Sequence, residues 1–274
     1  MSDFTIELNV AKKAAESAAR IIKKYQKESN FSVDFKGKND LVTEADVRAE
    51  EEIISVIKKE FPDDHILAEE SSTEQTMPEG RTWLIDPIDG TTNFAHGFPV
   101  YCVSIGLWEN REPKMGLVLE VSGNECFTAI KNKGAYLNGN PISVSKLDNP
   151  ANALVGTGFP YNDLSLVDNY LQFFRMLMTN TQGVRRAGAA SYDLCCVACG
   201  RFEGFYEYAL NPWDVGAGAL IIQEAGGEVT DWLGGDDWLF GKRIVAGNSA
   251  VHTFLLDEIA NYFGEGEIKA RSEK

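Results

Sequence analysis

The sequence predicts a mixed α+β or α/β protein built from layers of helix and sheet. Two observations predict this fold class. Between residues 100 and 130, short apolar runs are separated by hairpin-like turns, as in an antiparallel meander. After Pro150, strand-like and helix-like segments alternate, which is typical of a sheet covered by helices. We therefore expect two tightly packed halves, residues 1–150 and 151–274, without a flexible linker between them.

The N-terminal third is predicted from apolar periodicity and capping residues. Apolar and small residues recur at spacings of three and four over 4–25, which predicts a helix whose alanine-rich face could contact another helix or another subunit. Residues 31–40 predict a short strand followed by a polar loop. A second helix is expected near Thr43, because Thr43 and Asp46 have capping-box spacing, and Pro62 should end it.

The remaining elements follow from apolar runs bounded by turn residues. They predict strands at 65–68, 82–85, 100–108, 114–121, 125–130, 153–157, near 183, and at 204–208, 228–230 and 244–246. Helices are predicted at 164–179, 187–200, 215–225 and from 249 to about 262.

Composition and charge exclude several classes of function. Apolar residues make up 44% of the 274 residues, as expected of a globular protein. The net charge of −15 argues against binding nucleic acid or an anionic membrane through a basic surface. An anionic substrate would then need a neutralising group, such as a metal ion. With five cysteines, no signal peptide and no apolar run of about 18 residues, we expect a cytoplasmic protein without disulfides.

The most informative stretch is 86–93, Asp-Pro-Ile-Asp-Gly-Thr-Thr-Asn, which follows a predicted buried strand. Asp86 and Asp89 lie three residues apart at the end of this strand, and two convergent carboxylates repel each other unless a cation lies between them. The carbonyl of Ile88 could be a further oxygen ligand. A helix starting at Gly90 would direct free N–H groups toward a phosphate. The alternative is an exposed Asx-type turn.

Two other acidic positions could contribute to the same site. Glu69 and Glu70 follow a predicted strand, and a carboxylate there can join the same site if the two strands are neighbours. The alternative is a solvated acidic loop, which we prefer only for Glu70. Asp214 precedes a predicted helix, where it could serve only as a cap.

Together these segments resemble the inositol monophosphatase family from about residue 5 to 260. The resemblance is carried by four motifs: Asp40-Leu41-Val42-Thr43-Glu44-Ala45-Asp46, Ala68-Glu69-Glu70-Ser71, Trp83 to Phe94, and Trp213-Asp214-Val215 with Glu224-Ala225-Gly226-Gly227. The third motif is highly specific. The resemblance implies an alternating α/β/α/β/α sandwich and a Mg²⁺-dependent, lithium-sensitive phosphomonoesterase.

The resemblance also implies roles for individual residues. Glu69, Asp86 and the Ile88 carbonyl should hold a first Mg²⁺, and Asp86, Asp89 and Asp214 a second, with a weaker third ion near Glu69. Thr91 and Asp46 should orient and deprotonate the attacking water. The substrate should contact the residues Ile88, Asp89, Gly90, Thr91, Gly188, Ala189, Ala190, Glu207 and Asp214.

Some positions have simpler interpretations. Gly188 to Ala190 could merely pack a helix, and Asp193 could line the same pocket. Arg185 and Arg186 could lie at a subunit edge or be solvated. The loop containing Lys36, a family position that assists the metal and phosphate, has diverged. We interpret Cys196, Cys199, His96, Trp232 and Trp238 as packing residues.

The expected substrate is myo-inositol monophosphate or another small polyol or sugar phosphate. Fructose-1,6-bisphosphatase is an alternative within the fold. A 3′-phosphoadenosine phosphatase is weakened because Thr92 stands where those enzymes usually have Lys. A regulatory, protein-binding role is an alternative of another class, since some bacterial relatives act in transcription-complex assembly. The family resemblance also implies a homodimer.

Overall fold

The computed structural model of the protein describes residues 3–28, 33–37, 40–72, 76–159, 161 and 163–264. Within this part of the chain the helices are α1 Thr5–Glu28, α2 Glu44–Glu60, α3 Thr91–Ala95, α4 Val167–Asn180, α5 Ala190–Ala198, α6 Pro212–Glu224 and α7 Ser249–Phe263. The strands are β1 Val33–Gly37, β2 Asp40–Thr43, β3 His65–Ala68, β4 Arg81–Asp89, β5 Cys102–Glu109, β6 Glu112–Glu120, β7 Glu125–Ile130, β8 Ala135–Leu137, β9 Asn140–Ile142, β10 Leu154–Thr157, β11 Gly183–Arg185, β12 Gly204–Tyr208, β13 Glu228–Thr230 and β14 Arg243–Gly247.

Two sheets form the framework, and a separate β1–β2 hairpin precedes them. The larger sheet runs β3 to β9 in sequence order, and only its β3–β4 pair is parallel. The predicted antiparallel meander is therefore confirmed. The smaller sheet has the order β11-β10-β12-β14-β13, with β10 parallel to both β11 and β12.

The layers alternate as the family resemblance implied. The helices α1 and α2 cover one face of the larger sheet, and α5 and α6 lie between the two sheets. The helices α4 and α7 cover the outer face of the smaller sheet. The α/β/α/β/α fold class is confirmed.

Sequence periodicity explains how these layers pack. Along β4, Trp83 and Ile85 point toward α1 and α2, whereas Leu84 points to the core shared with α5 and α6. The alanine face of α1 is fully buried against α2 and the sheet, for example at Ala11 and Ala18. This face therefore belongs to the core of the protein and is not open to another subunit.

The helix α6 approaches the larger sheet unusually closely because small residues meet there. A Cβ on Gly116 of β6 would stand 2.6 Å from the carbonyl oxygen of Ala217. Only glycine fits at this crossing. The close packing fixes the start of α6, and with it the position of Asp214, relative to the ends of β4 and β5.

Several predicted boundaries differ from the structure. The helix α5 begins at Ala190 and not at 187, because Gly188 has a φ of +91° that a helix cannot contain. The helix α6 begins at Pro212 and not at 215. The three-residue strands β8 and β9 were not predicted.

Other predictions have different outcomes. The predicted start of the first strand at 31 and the loop residues 38–39 lie outside the described residues. The proposed halves 1–150 and 151–274 stay a prediction; the two sheets lie on either side of 150, and one core cluster contains residues from both. Among the described helices, none has an apolar segment of the length needed to cross a membrane.

Candidate functional site

A cleft with an empty volume of about 490 Å³ opens where the ends of β3 and β4 meet the starts of α5 and α6. Nearly all the predicted site residues line it: Glu69, Asp86, Ile88, Asp89, Gly90, Thr91, Gly188, Ala189, Ala190, Glu207 and Asp214. Asp46 lies behind Thr91 rather than on the lining. The lining residues come from five separate parts of the chain and Asp46 from a sixth, and the layered fold brings them to one place.

The end of β4 forms the floor of the cleft. The strand pairs with β5 through Asp86 and again at Asp89, with an irregularity between them. Gly90 then turns the chain into α3 with a φ of +94°, and a Cβ there would stand 2.9 Å from the Val100 carbonyl oxygen. This segment is an ordered strand end, so the exposed Asx-type turn considered for it is wrong.

Asp86 is the most confined carboxyl group of the floor. Its side chain is only 1% exposed, and Oδ1 has no hydrogen-bond partner among the described residues. Burial raises the pKa of Asp86 well above its usual range, and the charges of Glu69, Asp89 and Asp214 raise it further. A buried oxygen without a donor, facing other carboxylates, is stabilised only by a proton or a cation.

Asp89 is held by the first turn of α5. The backbone N–H of Ala190 donates to Oδ1 at 3.2 Å, and the backbone N–H of Ser191 donates to Oδ2 at 2.7 Å. The Ser191 hydroxyl and the Cys102 thiol also donate to Oδ2. Desolvation raises the pKa of Asp89, while the bonds from Ser191 and Ala190 act in the opposite direction. The carboxylate is therefore fixed in orientation.

Asp214 has a structural contact as well as its place in the cleft. It is the third residue of α6, and its Oδ2 accepts the backbone N–H of Asn211 at 2.7 Å. Burial, followed by the charge of Asp89, raises the pKa of Asp214 to about 7. The residue both stabilises the start of α6 and adds negative charge to the cleft, so the interpretation as a cap alone is incomplete.

The buried Asp46 and the half-buried Thr91 form a hydrogen-bonded pair beside the floor. The Thr91 hydroxyl lies 3.1 Å from Asp46 Oδ1 and 3.0 Å from the carbonyl oxygen of Ile88. Asp46 Oδ2 accepts both the N–H and the hydroxyl of Thr43, which completes the capping box of α2. Burial raises the pKa of Asp46, and the bonds from Thr43 and Thr91 partly oppose this effect.

The opposite end of the cleft is lined by the segment before α5 and by β12. The side-chain amide of Asn93 donates to the carbonyls of Ala187 and Val100 and so fixes the turn at Gly188. Glu207 is buried, and burial together with the charge of Asp193 raises the pKa of Glu207 well above its usual range. The amide of Ala190 already bonds Asp89, so this predicted substrate contact has its donor engaged.

The donor set of the floor fits a hard cation. Carboxylates and a carbonyl are the ligands that Mg²⁺ prefers, and the unpartnered Oδ1 of Asp86 provides a free buried lone pair. No three acidic, His or Cys side chains of the described residues are already arranged around one point as a complete metal-binding group.

Sequence reasoning missed some contacts and misjudged others. Ser191 and Cys102, which bind Asp89, carried no motif of their own. His96 was interpreted as packing in a loop but is exposed at the end of α3. Cys196, Trp232 and Trp238 are buried core residues as predicted, whereas Cys199 is partly buried.

Comparisons with known proteins agree with this arrangement. The sequence profile of the inositol monophosphatase family matches residues 6–263. A Pseudomonas aeruginosa protein, Nus factor SuhB, is 43% identical over 257 residues, which are 92% of this chain and 95% of that protein. The inositol-1-monophosphatase of Synechocystis sp. is 45% identical over 221 residues, 81% of this chain and 77% of that one. The solved inositol monophosphatase of Anabaena (Nostoc) sp. has a TM-score of 0.85 at 35% identity, covering 95% of this chain and 98% of that one.

Proposed function

Because the chain belongs to the inositol monophosphatase family, we propose that it is a Mg²⁺-dependent phosphomonoesterase that converts myo-inositol monophosphate to myo-inositol and phosphate. The observation that carries the proposal is the buried position of Asp86 among Glu69, Asp89 and Asp214. Such a concentration of negative charge inside a protein is costly, so it is typical of a site that is completed by a ligand.

The proposed metal ligands are those that the family resemblance implies, and all of them line the cleft. Glu69, Asp86 and the Ile88 carbonyl would hold one Mg²⁺, and Asp86, Asp89 and Asp214 a second, with Glu69 serving any third ion. Bound Mg²⁺ supplies the positive charge that neutralises a phosphate and lowers the pKa of a water ligand. The N–H groups at Gly90 and Thr91 would orient the phosphate from the side of α3.

The Thr91–Asp46 pair would orient the attacking water and accept its proton. The Thr91 hydroxyl can accept a hydrogen bond from water while it donates to Asp46 Oδ1, 3.1 Å away. Asp46 is held by Thr43, so its Oδ1 remains directed at Thr91. A buried carboxylate with a raised pKa is a better proton acceptor than a solvated one.

The alcohol of the substrate would lie toward Gly188, Ala189 and Glu207. Gly158 leaves the face of Glu207 open, because a Cβ there would collide with its carboxylate. Glu207 can then accept hydroxyl protons of a polyol, which would offset the cost of burying it. A cytoplasmic location and a homodimer remain part of this proposal.

Phosphate release from purified protein tests the proposal. The substrates are inositol 1-phosphate, fructose 1,6-bisphosphate and 3′-phosphoadenosine 5′-phosphate, each with and without Mg²⁺. We expect Mg²⁺-dependent release, with the highest kcat/KM for inositol 1-phosphate. An advantage of more than about tenfold for another substrate would contradict the choice of substrate, and absence of release from all three would contradict the phosphatase.

A regulatory role is the second candidate, favoured by the similarity to a protein whose name describes a Nus factor. The variant Asp89→Asn separates the two functions. It should abolish phosphatase activity and keep the fold, because Ser191 can still donate to the remaining side-chain oxygen. The test is to express Asp89→Asn in cells from which the gene has been deleted. If this variant fully restores the wild-type phenotype, the binding role is favoured.

A further inference from the structure

A second groove lies where α1 crosses β6 and β7, on the face of the larger sheet that is turned away from α5 and α6. Its empty volume is about 670 Å³, and it shares no lining residue with the cleft of the proposed phosphatase site. Grooves of this size hold small molecules in many proteins. The lining of this groove therefore indicates what it could bind.

The base of the groove is apolar except for one hydroxyl group. Ala15 of α1 and Leu117 and Leu119 of β6 form the apolar part, and each is at most 5% exposed. Thr128 of β7 lies beside them and is also only 5% exposed. Its hydroxyl has no hydrogen bond with another described residue. Because a buried hydroxyl without a partner is costly, a ligand with a polar atom near the apolar base would be stabilised.

Two opposite charges stand at the rim of the groove. Lys12 and Glu16 are four residues apart on α1, so they lie on the same side of the helix. Neither has an ion pair or a side-chain hydrogen bond with another described residue, and Lys before Glu is the less favourable order for a pair along a helix. Burial raises the pKa of the Cys126 thiol in the groove, the charge of Lys12 lowers it, and that of Glu16 raises it. Both charges therefore lie close to the same thiol.

We infer that this groove binds a free α-amino acid with an apolar side chain. The carboxylate of such a ligand would bind Lys12 and its ammonium group Glu16, through charge-assisted hydrogen bonds. Its side chain would lie on Leu117 and Leu119. A purely anionic ligand would be repelled by Glu16, and a purely cationic one by Lys12. A zwitterion has no net charge, so the net charge of −15 of the protein does not repel it.

Isothermal titration calorimetry with related ligands tests this inference. The full chain, with Mg²⁺ present, is titrated with L-phenylalanine, 3-phenylpropanoate and 2-phenylethylamine. The second compound lacks the ammonium group and the third lacks the carboxylate. We expect phenylalanine to bind at least about tenfold more tightly than either, because each of the others loses one charge-assisted hydrogen bond. L-Serine keeps both charges but has no apolar side chain, and it should also bind at least about tenfold more weakly.

Variants at the rim assign each charge to one part of the ligand. Lys12→Gln should raise the Kd of phenylalanine about tenfold and should not raise that of 2-phenylethylamine, which has no carboxylate. Glu16→Gln should likewise weaken phenylalanine binding but not the binding of 3-phenylpropanoate. The matched control is Lys13→Gln. Lys13 is exposed and lies outside the groove, so the Kd of phenylalanine should stay within about twofold of the wild-type value.

Alkylation by iodoacetamide locates the bound ligand. Cys126 lines the groove, whereas Cys199, which is also partly buried, lies outside it. Saturating phenylalanine should slow the alkylation of Cys126 and leave that of Cys199 unchanged, as measured by mass spectrometry of the peptides. Binding without protection of Cys126, equal affinity for phenylalanine and its two analogues, or equal effects of Lys12→Gln and Lys13→Gln would overturn the inference. So would the absence of phenylalanine binding at concentrations up to about 10 mM.

Discussion

Two regions of this protein contain carboxylates that differ in their hydrogen bonding. In the cleft floor, Asp86 Oδ1 has no donor among the described residues and faces other acidic groups. At the far end of α6, Glu224 accepts the backbone N–H groups of Asn132, Lys133 and Gly134 in the turn between β7 and β8. Glu120 likewise accepts two N–H groups from its own turn.

The difference separates carboxylates that stabilise the fold from those reserved for a ligand. A carboxylate that accepts several N–H bonds is stabilised in its charged form. Asp86 in the cleft instead retains an unsatisfied carboxyl oxygen beside other acidic groups, which lowers the stability of the metal-free protein. Removing a carboxylate charge should therefore raise the stability of the metal-free protein at Asp86 and lower it at Glu224.

The largest effect is expected for Asp86→Asn. Activity should fall about a thousandfold or more, because both proposed metal positions lose a ligand. The metal-free variant should nevertheless be more stable than wild type, by about 1–3 kcal/mol, because mutual repulsion in the cleft decreases. Activity is measured as phosphate release, and stability by urea unfolding in the presence of a chelator.

Asp89→Asn is the matched control for the stability part. Its carboxylate accepts N–H and O–H bonds from α5, and an amide would lose some of them. The gain in stability should therefore be smaller than in Asp86→Asn. If metal-free Asp86→Asn were less stable than wild type, the cleft would not carry the repulsion described above.

The next largest effect is expected for the pH dependence of the stabilisation that Mg²⁺ gives the folded protein. The pKa of Asp214 rises from 3.8 to about 7 on folding, so the carboxyl binds a proton in the folded state. The stabilisation that comes from protonating Asp214 in the folded protein is complete below about pH 4. It is lost as the pH rises through about 7. Mg²⁺ requires the deprotonated carboxylate, so we expect its stabilisation to be about 2 kcal/mol larger near pH 8 than near pH 5.5.

Thermal unfolding with a chelator and with saturating MgCl₂ measures this difference. Asp214→Asn should reduce the pH dependence, since the titrating group is removed. An equal Mg²⁺ effect at both pH values would show that Mg²⁺ binding is not linked to these carboxyl groups.

Much of the fold was predictable because local patterns determine it. The capping residues Thr43 and Asp46 predicted the start of α2, and it begins where they stand. The residues around Asp86 predicted a strand end with convergent carboxylates, and Asp86 and Asp89 do line one cleft. In both cases the feature depends on residues that are close together in the sequence, so a local pattern is enough to predict it.

The rest depends on contacts between distant segments, which leave no local pattern. Ser191 binds Asp89 across 102 positions of sequence. The start of α5 depends on Gly188, whose conformation is fixed by Asn93 from α3. Glu224 was predicted only as part of a motif, and its function as an acceptor for a distant turn became visible only in the structure.

The smallest effect is expected for Glu224→Gln, the counterpart of Asp86→Asn in the well-bonded region. An amide has one acceptor oxygen in place of two and no charge, so at least one N–H of the turn at 132–134 loses its partner. Stability should fall by about 1–2 kcal/mol, equally with and without Mg²⁺, while kcat/KM stays unchanged. Glu79→Gln, which removes an exposed carboxylate, should leave unfolding within about 0.5 kcal/mol of wild type. If the Glu224→Gln variant were as stable as wild type, the N–H bonds to Glu224 would not stabilise the fold. The proposed difference between the two groups of carboxylates would then be wrong.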